Sequence, residues 1–169
     1  LPVGDRPILR SCLSLWNPAV SKMLHAELAT LQPDVVHAHN VHMYLTYDAL
    51  RIARLHSSKV CITFHDMMSV HYDRLVSSRY LQSGGKDARV TLWDQVNRAR
   101  LECNPLRNTL IRRRIHASVT HRFSVSKALQ SALHQNGLRD VQVMHNFLGE
   151  EVDDVSQDAL PSALRECPG

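Results

Sequence analysis

Val35-Val36-His37-Ala38-His39 and Lys59-Val60-Cys61-Ile62-Thr63-Phe64 are the two stretches on which the fold turns. The first is short, opens with two β-branched residues, and is bounded by Pro33-Asp34 and by Asn40, so it reads as a strand. The second, rich in Val, Ile, Thr and Phe, reads as another. Between them, Leu45, Ala49, Ile52 and Leu55 recur at helical spacing from Tyr44 to His56, with charged residues opposite. Strand, helix and strand within about thirty residues make a parallel crossover unit.

Working outward, Asn17-Pro18 is a helix start, a capping side chain followed by the imino acid tolerated at the first helical position. Trp16, Val20, Met23, Leu24, Leu28 and Leu31 fall on one face of a helix running to about Thr30. Residues 1–15 carry mixed signals and receive no assignment. Downstream, Asp66 to Pro105 lacks comparable regularity. Gly84-Gly85 marks a break there, and Val90, Trp93, Val96 and Leu101 outline a helix. An insertion of this size between core elements commonly covers a site. Leu106 to Ala117 reads as a helix with Leu106, Leu110, Ile111 and Ile115 on one side and Arg107, Arg112, Arg113 and Arg114 elsewhere. Val119 to Val125 is a third strand. Ser126 caps a further helix that stops at Gly137, and Val141 to His145 is the last strand. The alternation predicts an α/β domain: a Rossmann-like, mostly parallel open sheet flanked by helices. That domain is expected over 1–149, with 150–169 a linker or frayed tail.

The arithmetic agrees with one globular domain. The chain has 169 residues, 44% hydrophobic and 21% charged, which excludes intrinsic disorder and collagen-like order. No apolar run is long enough to span a membrane, and no basic-then-apolar leader opens the sequence. It begins at Leu1, and a piece of a longer protein is the expectation. Cys12, Cys61, Cys103 and Cys167 are scattered, giving neither a zinc knuckle nor a disulfide framework, so a reducing cytoplasm is expected. Charge is uneven: nine basic against three acidic residues from Lys86 to Arg122, then six acidic against one basic from Glu150 to Gly169. A basic middle favours anionic partners such as phosphates or a lipid surface. Nucleic acid is disfavoured, because aromatics for base stacking are only 5%.

Ligands of open parallel sheets gather beyond the carboxyl ends of the strands. Three strands here end in polar residues suited to that place: His37-Ala38-His39-Asn40, His65-Asp66 and His145-Asn146. Period-two alternation puts His37 and His39 on one face. One reading of His37, His39 and His65 is a metal site, with imidazoles that zinc or manganese accepts and a metal-dependent hydrolase as the result. The six glycines form no phosphate-binding loop, so the chain shows no nucleotide motif of its own.

Four of these segments resemble the N-terminal domain of family-four retaining glycosyltransferases of the GT-B fold. They are Gln32-Pro33-Asp34-Val35-Val36-His37-Ala38-His39-Asn40, Thr63-Phe64-His65-Asp66, Phe123-Ser124-Val125-Ser126-Lys127-Ala128-Leu129, and Val141-Gln142-Val143-Met144-His145-Asn146. They occur in the family's order between about Leu15 and Gly149. The resemblance implies a truncated half of a GT-B architecture, in which two Rossmann-like domains face across a cleft. The other domain holds a nucleotide-diphosphate sugar, and this one recognises a glycan or lipid-linked acceptor. It further implies hexosyl transfer with retention, without cofactor or metal, in cytoplasmic polysaccharide biosynthesis. By position, His65 corresponds to the family's strand-end histidine directed at the transferred sugar and leaving phosphate, with Asp66 beside it. His39 and Asn40 would line the acceptor side, and Ser126 and Asn146 would sit near the hinge and the donor.

Three departures stand beside the resemblance. The family's first strand and its glycine-rich loop are expected before Leu1. Asn146-Phe147 replaces the usual Asn-Gly at the hinge, and the donor domain is absent, so the isolated fragment is expected to be inactive. An inactive interaction module is therefore a further alternative. The Arg112-Arg113-Arg114 run reads either as a solvated helix face or as a peripheral contact with the inner face of a membrane.

Overall fold

The computed structural model describes residues 14–42, 44–71, 78–99 and 106–146. The tail 150–169, the domain boundary at 149, Phe147, and Cys12, Cys103 and Cys167 lie outside the described residues. Within them the chain runs α1 (Pro18–Leu31), β1 (Val35–His39), α2 (Asp48–His56), β2 (Lys59–Phe64), α3 (Ser78–Gln82), α4 (Leu92–Ala99), α5 (Arg107–Ser118), β3 (His121–Ser124), α6 (Lys127–Gln135) and β4 (Val141–Val143).

The four strands form one sheet in the order β1-β2-β3-β4, and every pairing is parallel. The expected Rossmann-like α/β sheet is present. Strands that add in sequence order through right-handed crossovers place their connecting helices on one face. α2, α5 and α6 connect successive strands in this way, and α1 packs on α2. Val60 and Ile62 of β2 meet Leu50, Ile52, Ile111, Ile115 and Leu133 in the core. Along β1 the alternation is visible: Val36 and Ala38 pack against the core, while Val35, His37 and His39 are exposed.

Local chemistry sets the helix ends. Asn17 Oδ1 accepts the Ala19 and Val20 N–H groups, and Gln32 closes α1 in the left-handed region at φ 45°. α2 begins at Asp48, four residues later than its periodicity predicts. Thr46 adopts φ 64°, which a helix cannot contain, and its Oγ1 accepts the Asp48 N–H. Tyr44 and Leu45 consequently lie in an exposed turn. α4 opens with a reciprocal cap, Asp94 N–H to Thr91 Oγ1 and Thr91 N–H to Asp94 Oδ2. Gly84 and Gly85, at φ 62° and 82°, mark the anticipated break. α3 just before them has no counterpart in the sequence reading, because five residues carry too little periodicity.

Two helix faces differ from expectation. On α1 the apolar stripe is wider than the surface it packs on: Leu28 is buried and Leu24 half-buried, while Trp16, Met23 and Leu31 are exposed. On α5 the core face is Arg107, Ile111 and Ile115, at four-residue spacing, whereas Leu106 and Leu110 face solvent. Arg107 is 2% exposed, and its guanidinium is satisfied by Ser14 Oγ, the Met68 carbonyl and Asn108 Oδ1. A buried cation is tolerated when its donors are matched in this way. It ties α5 to the loop after β2.

The loop 86–90 is fastened to the end of α6. Ala88 N–H donates to Gln135 Oε1 and Val90 N–H to Asn136 Oδ1, while Asn136 Nδ2 donates to the Ala88 carbonyl. Part of the irregular segment is thereby fixed to the sheet's helical layer.

Candidate functional site

The parallel register brings the strand-end residues of β1 and β2 side by side. His37 is opposite Cys61 and His39 opposite Thr63, so these residues share the sheet face turned away from α2, α5 and α6. His37 Nε2 and Thr63 Oγ1 are 2.8 Å apart, and His39 Nδ1 and His65 Nε2 are 3.0 Å apart. The His37 and His39 rings lie 4.3 Å from each other, and Phe123 of β3 borders His37 at 6.3 Å. Between His39 and His65 one ring nitrogen donates and the other accepts. Two imidazolium rings cannot satisfy that contact. His39 is accordingly held below its ordinary value, by burial first and then by the neighbouring His37 and His65.

His39 is hydrogen-bonded to His65 and His37 to Thr63, while the His37 and His39 rings meet only by their faces at a tilt. Among the described residues no group of three or more His, Cys, Asp or Glu side chains is placed to hold a metal ion. The proposed His37, His39 and His65 metal set therefore does not assemble, because His37 turns its Nε2 to Thr63 while His39 and His65 face each other.

Beside these rings, at the carboxyl rim, is a small, partly open recess with room for about one water. Asn40, His65 and Asp66, which follow β1 and β2, are among its lining residues, with His42, Tyr47 and Ser69. Asn40 adopts φ 45°, which turns the chain away from the sheet immediately after His39. Asp66 Oδ1 accepts the Met68 N–H, a local turn that fixes the carboxylate. Its Oδ2 stands 3.7 Å from His42 Nε2. Tyr47 is fully buried; burial drives its phenol well above the ordinary range, Arg107 opposes this and Asp66 adds to it, so it stays protonated.

The other sequence-selected residues are elsewhere. Ser126 is the cap of α6, its Oγ accepting the Leu129 N–H at 3.2 Å. Asn146 is exposed in the coil after β4, two strands away from β2. The arginine run is divided: Arg112 donates to the Asn136 carbonyl and Arg114 to the Leu15 carbonyl, leaving Arg113 exposed. His42, Tyr47 and Ser69 were missed. None follows a strand directly, and only the folding of two loops over the rim brings them to the recess.

Open parallel α/β sheets bind ligands beyond the carboxyl ends of their strands, and here His39, His65 and Asp66 stand at that rim. A family model described as Glycosyltransferase Family 4 matches residues 1–151, and the chain belongs to that family. No curated protein and no solved structure gives a match to it. A transferase with sugar nucleotide and acceptor as substrates is what this membership supports. No helix among the described residues is long and apolar enough to cross a membrane.

Proposed function

We propose that this chain is the acceptor-binding half of a retaining glycosyltransferase of GT-B architecture, which moves a sugar from a nucleotide-diphosphate sugar to a glycan or lipid-linked acceptor. The observation that carries this reading is the position of His65. It follows β2, an interior strand, lines the recess, and is held by His39 at 3.0 Å. With its Nε2 accepting from His39 Nδ1–H, the imidazole presents its other N–H to a sugar hydroxyl or a leaving phosphate oxygen. Asp66 fixes the turn that follows, and His39 and Asn40 form the acceptor-side border. Domain 1–149 with its tail 150–169, and the hinge-side placement of Asn146, belong to the same proposal.

The test uses the enzyme in which this domain is joined to a donor-binding domain. His65→Ala lowers kcat by at least tenfold and changes acceptor affinity less, as expected for an interaction made in the transition state. Unchanged kcat overturns the role.

A further inference from the structure

Trp16, Tyr44 and Leu106 are 54%, 72% and 65% exposed, and Leu45 and Leu110 are exposed on the same segments. Those segments are far apart in the chain but tied to one another. Tyr47 N–H donates to the Ser14 carbonyl, Arg107 Nε to Ser14 Oγ, and Arg114 Nη1 to the Leu15 carbonyl. Residues 14–17, 44–47 and 106–114 therefore meet at one corner of the fold. The corner lies at the carboxyl rim, because Tyr44 follows β1 and because α1 and α5 each run back to the start of a parallel strand. Exposed apolar side chains scattered singly are ordinary, whereas five large ones on three tied segments mark an interaction surface. None of the three segments holds an acidic residue, and α5 has none along its length. Asp48, which opens α2 beside this corner, is buried and paired with Arg51. Arg51 and Arg113 themselves are exposed.

We infer that this corner docks on an anionic lipid bilayer: the five apolar side chains enter the headgroup layer, and Arg51 and Arg113 meet the lipid phosphates around them. Trp and Tyr suit that depth, since each joins an apolar ring to a hydrogen-bonding group. Exposed cations beside an apolar patch, with no exposed carboxylate among them, complement a negatively charged surface. A second copy of the chain fits worse. A twofold contact through this corner sets Arg51 and Arg113 against their own like charges, with no carboxylate to answer them. The inference goes beyond the glycosyl-transfer reading and does not depend on it. Where that reading holds, docking by this corner brings the rim that carries His65 toward a lipid-linked acceptor.

The experiment measures flotation of the full chain with vesicles of equal phosphatidylcholine and phosphatidylglycerol, and with vesicles of phosphatidylcholine alone. The mixed vesicles retain the chain at about 0.1 M salt and release most of it when salt is raised several-fold, and the neutral vesicles bind it at least about tenfold more weakly. Arg113→Gln weakens binding to the mixed vesicles about fivefold, the loss of one charge at the surface. Tyr44→Ser combined with Leu106→Ser weakens it at least about tenfold. Leu31→Ser combined with Leu55→Ser, at exposed apolar positions where α1 and α2 end at the opposite rim, leaves it unchanged. All four of these apolar side chains face solvent, so neither pair of substitutions opens the core. The inference is overturned if the mixed vesicles fail to retain the chain, if neutral vesicles bind it equally, or if the Tyr44 and Leu106 variant binds as the parent does. An equal loss in the Leu31 and Leu55 variant overturns it as well. So does a dimer in sedimentation velocity that the Tyr44 and Leu106 variant dissolves, which assigns the corner to a second copy. Failure of the transfer reading shows separately, in the kcat of His65→Ala.

Discussion

His39 Nδ1 lies 3.0 Å from His65 Nε2, a contact between two side chains 26 residues apart in sequence. It exists because β1 and β2 pair in parallel with His39 opposite Thr63, which brings the residue just past Phe64 within reach of the end of β1. A pair of imidazoles in this contact carries at most one positive charge without breaking it.

Acid should therefore weaken the fold through His39. Its folded value lies below its unfolded one, mainly from burial and then from His37 and His65. The unfolded chain binds the proton more readily, so stability is intact above about pH 6.5 and falls as pH drops through that value. Urea midpoints measured at pH 7.5 and 5.5 should differ less for His39→Asn than for the parent. An equal or larger difference in the variant contradicts this.

Arg107 should prove one of the costliest positions to change. Arg107→Leu leaves the Met68 carbonyl and Ser14 Oγ without their donor in the interior. A loss on the order of 3 kcal/mol in equilibrium unfolding is expected. Arg107→Lys should recover little of it, because one ammonium cannot reproduce the forked geometry.

Asp48 gives the second acid-sensitive contact. Burial by itself pushes its carboxyl up, but hydrogen bonds from Arg51 and Ser21 and the charges of Arg51 and Arg114 bring it below the ordinary value. The stability it contributes is complete above about pH 4 and is lost as pH falls through the lowered folded value. Asp48→Asn should cost about 1–2 kcal/mol at neutral pH. Its deficit against the parent should shrink as the pH is lowered toward 3, measured by chemical denaturation.

Ser126 should behave as a cap and not as a substrate contact. Ser126→Ala is expected to cost about 1 kcal/mol of stability, with Ser126→Asp restoring most of it. Transfer kcat in the joined enzyme should remain unchanged below the melting transition. A drop in kcat at full folding would place Ser126 in the donor site.

The sheet was legible because period-two and period-3.6 patterns are local. Val35 to His39, Lys59 to Phe64 and the two capped helices at Asn17 and Ser126 each carry their own signal within a few residues. The same locality misled at α5. Apolar Leu106 and Leu110 look like core and Arg107 like surface, until Ser14 and Met68 arrive from distant segments to satisfy the guanidinium. On α1 the sequence marks an apolar stripe but says nothing of how much of it a partner covers, and Trp16, Met23 and Leu31 remain exposed. At the site, His39, Asn40, His65 and Asp66 could be chosen in advance because strand ends of a parallel sheet share one rim.

By itself the amino-acid order determined the kind of layer this chain makes, since side-chain periodicity assigns each residue to a face without reference to anything far away. Only the tertiary structure decided that His39 would meet His65 and that the His37 ring would turn to Thr63. Those outcomes depend on interstrand register and on loop closure between segments tens of residues apart, and no local pattern encodes such a distance.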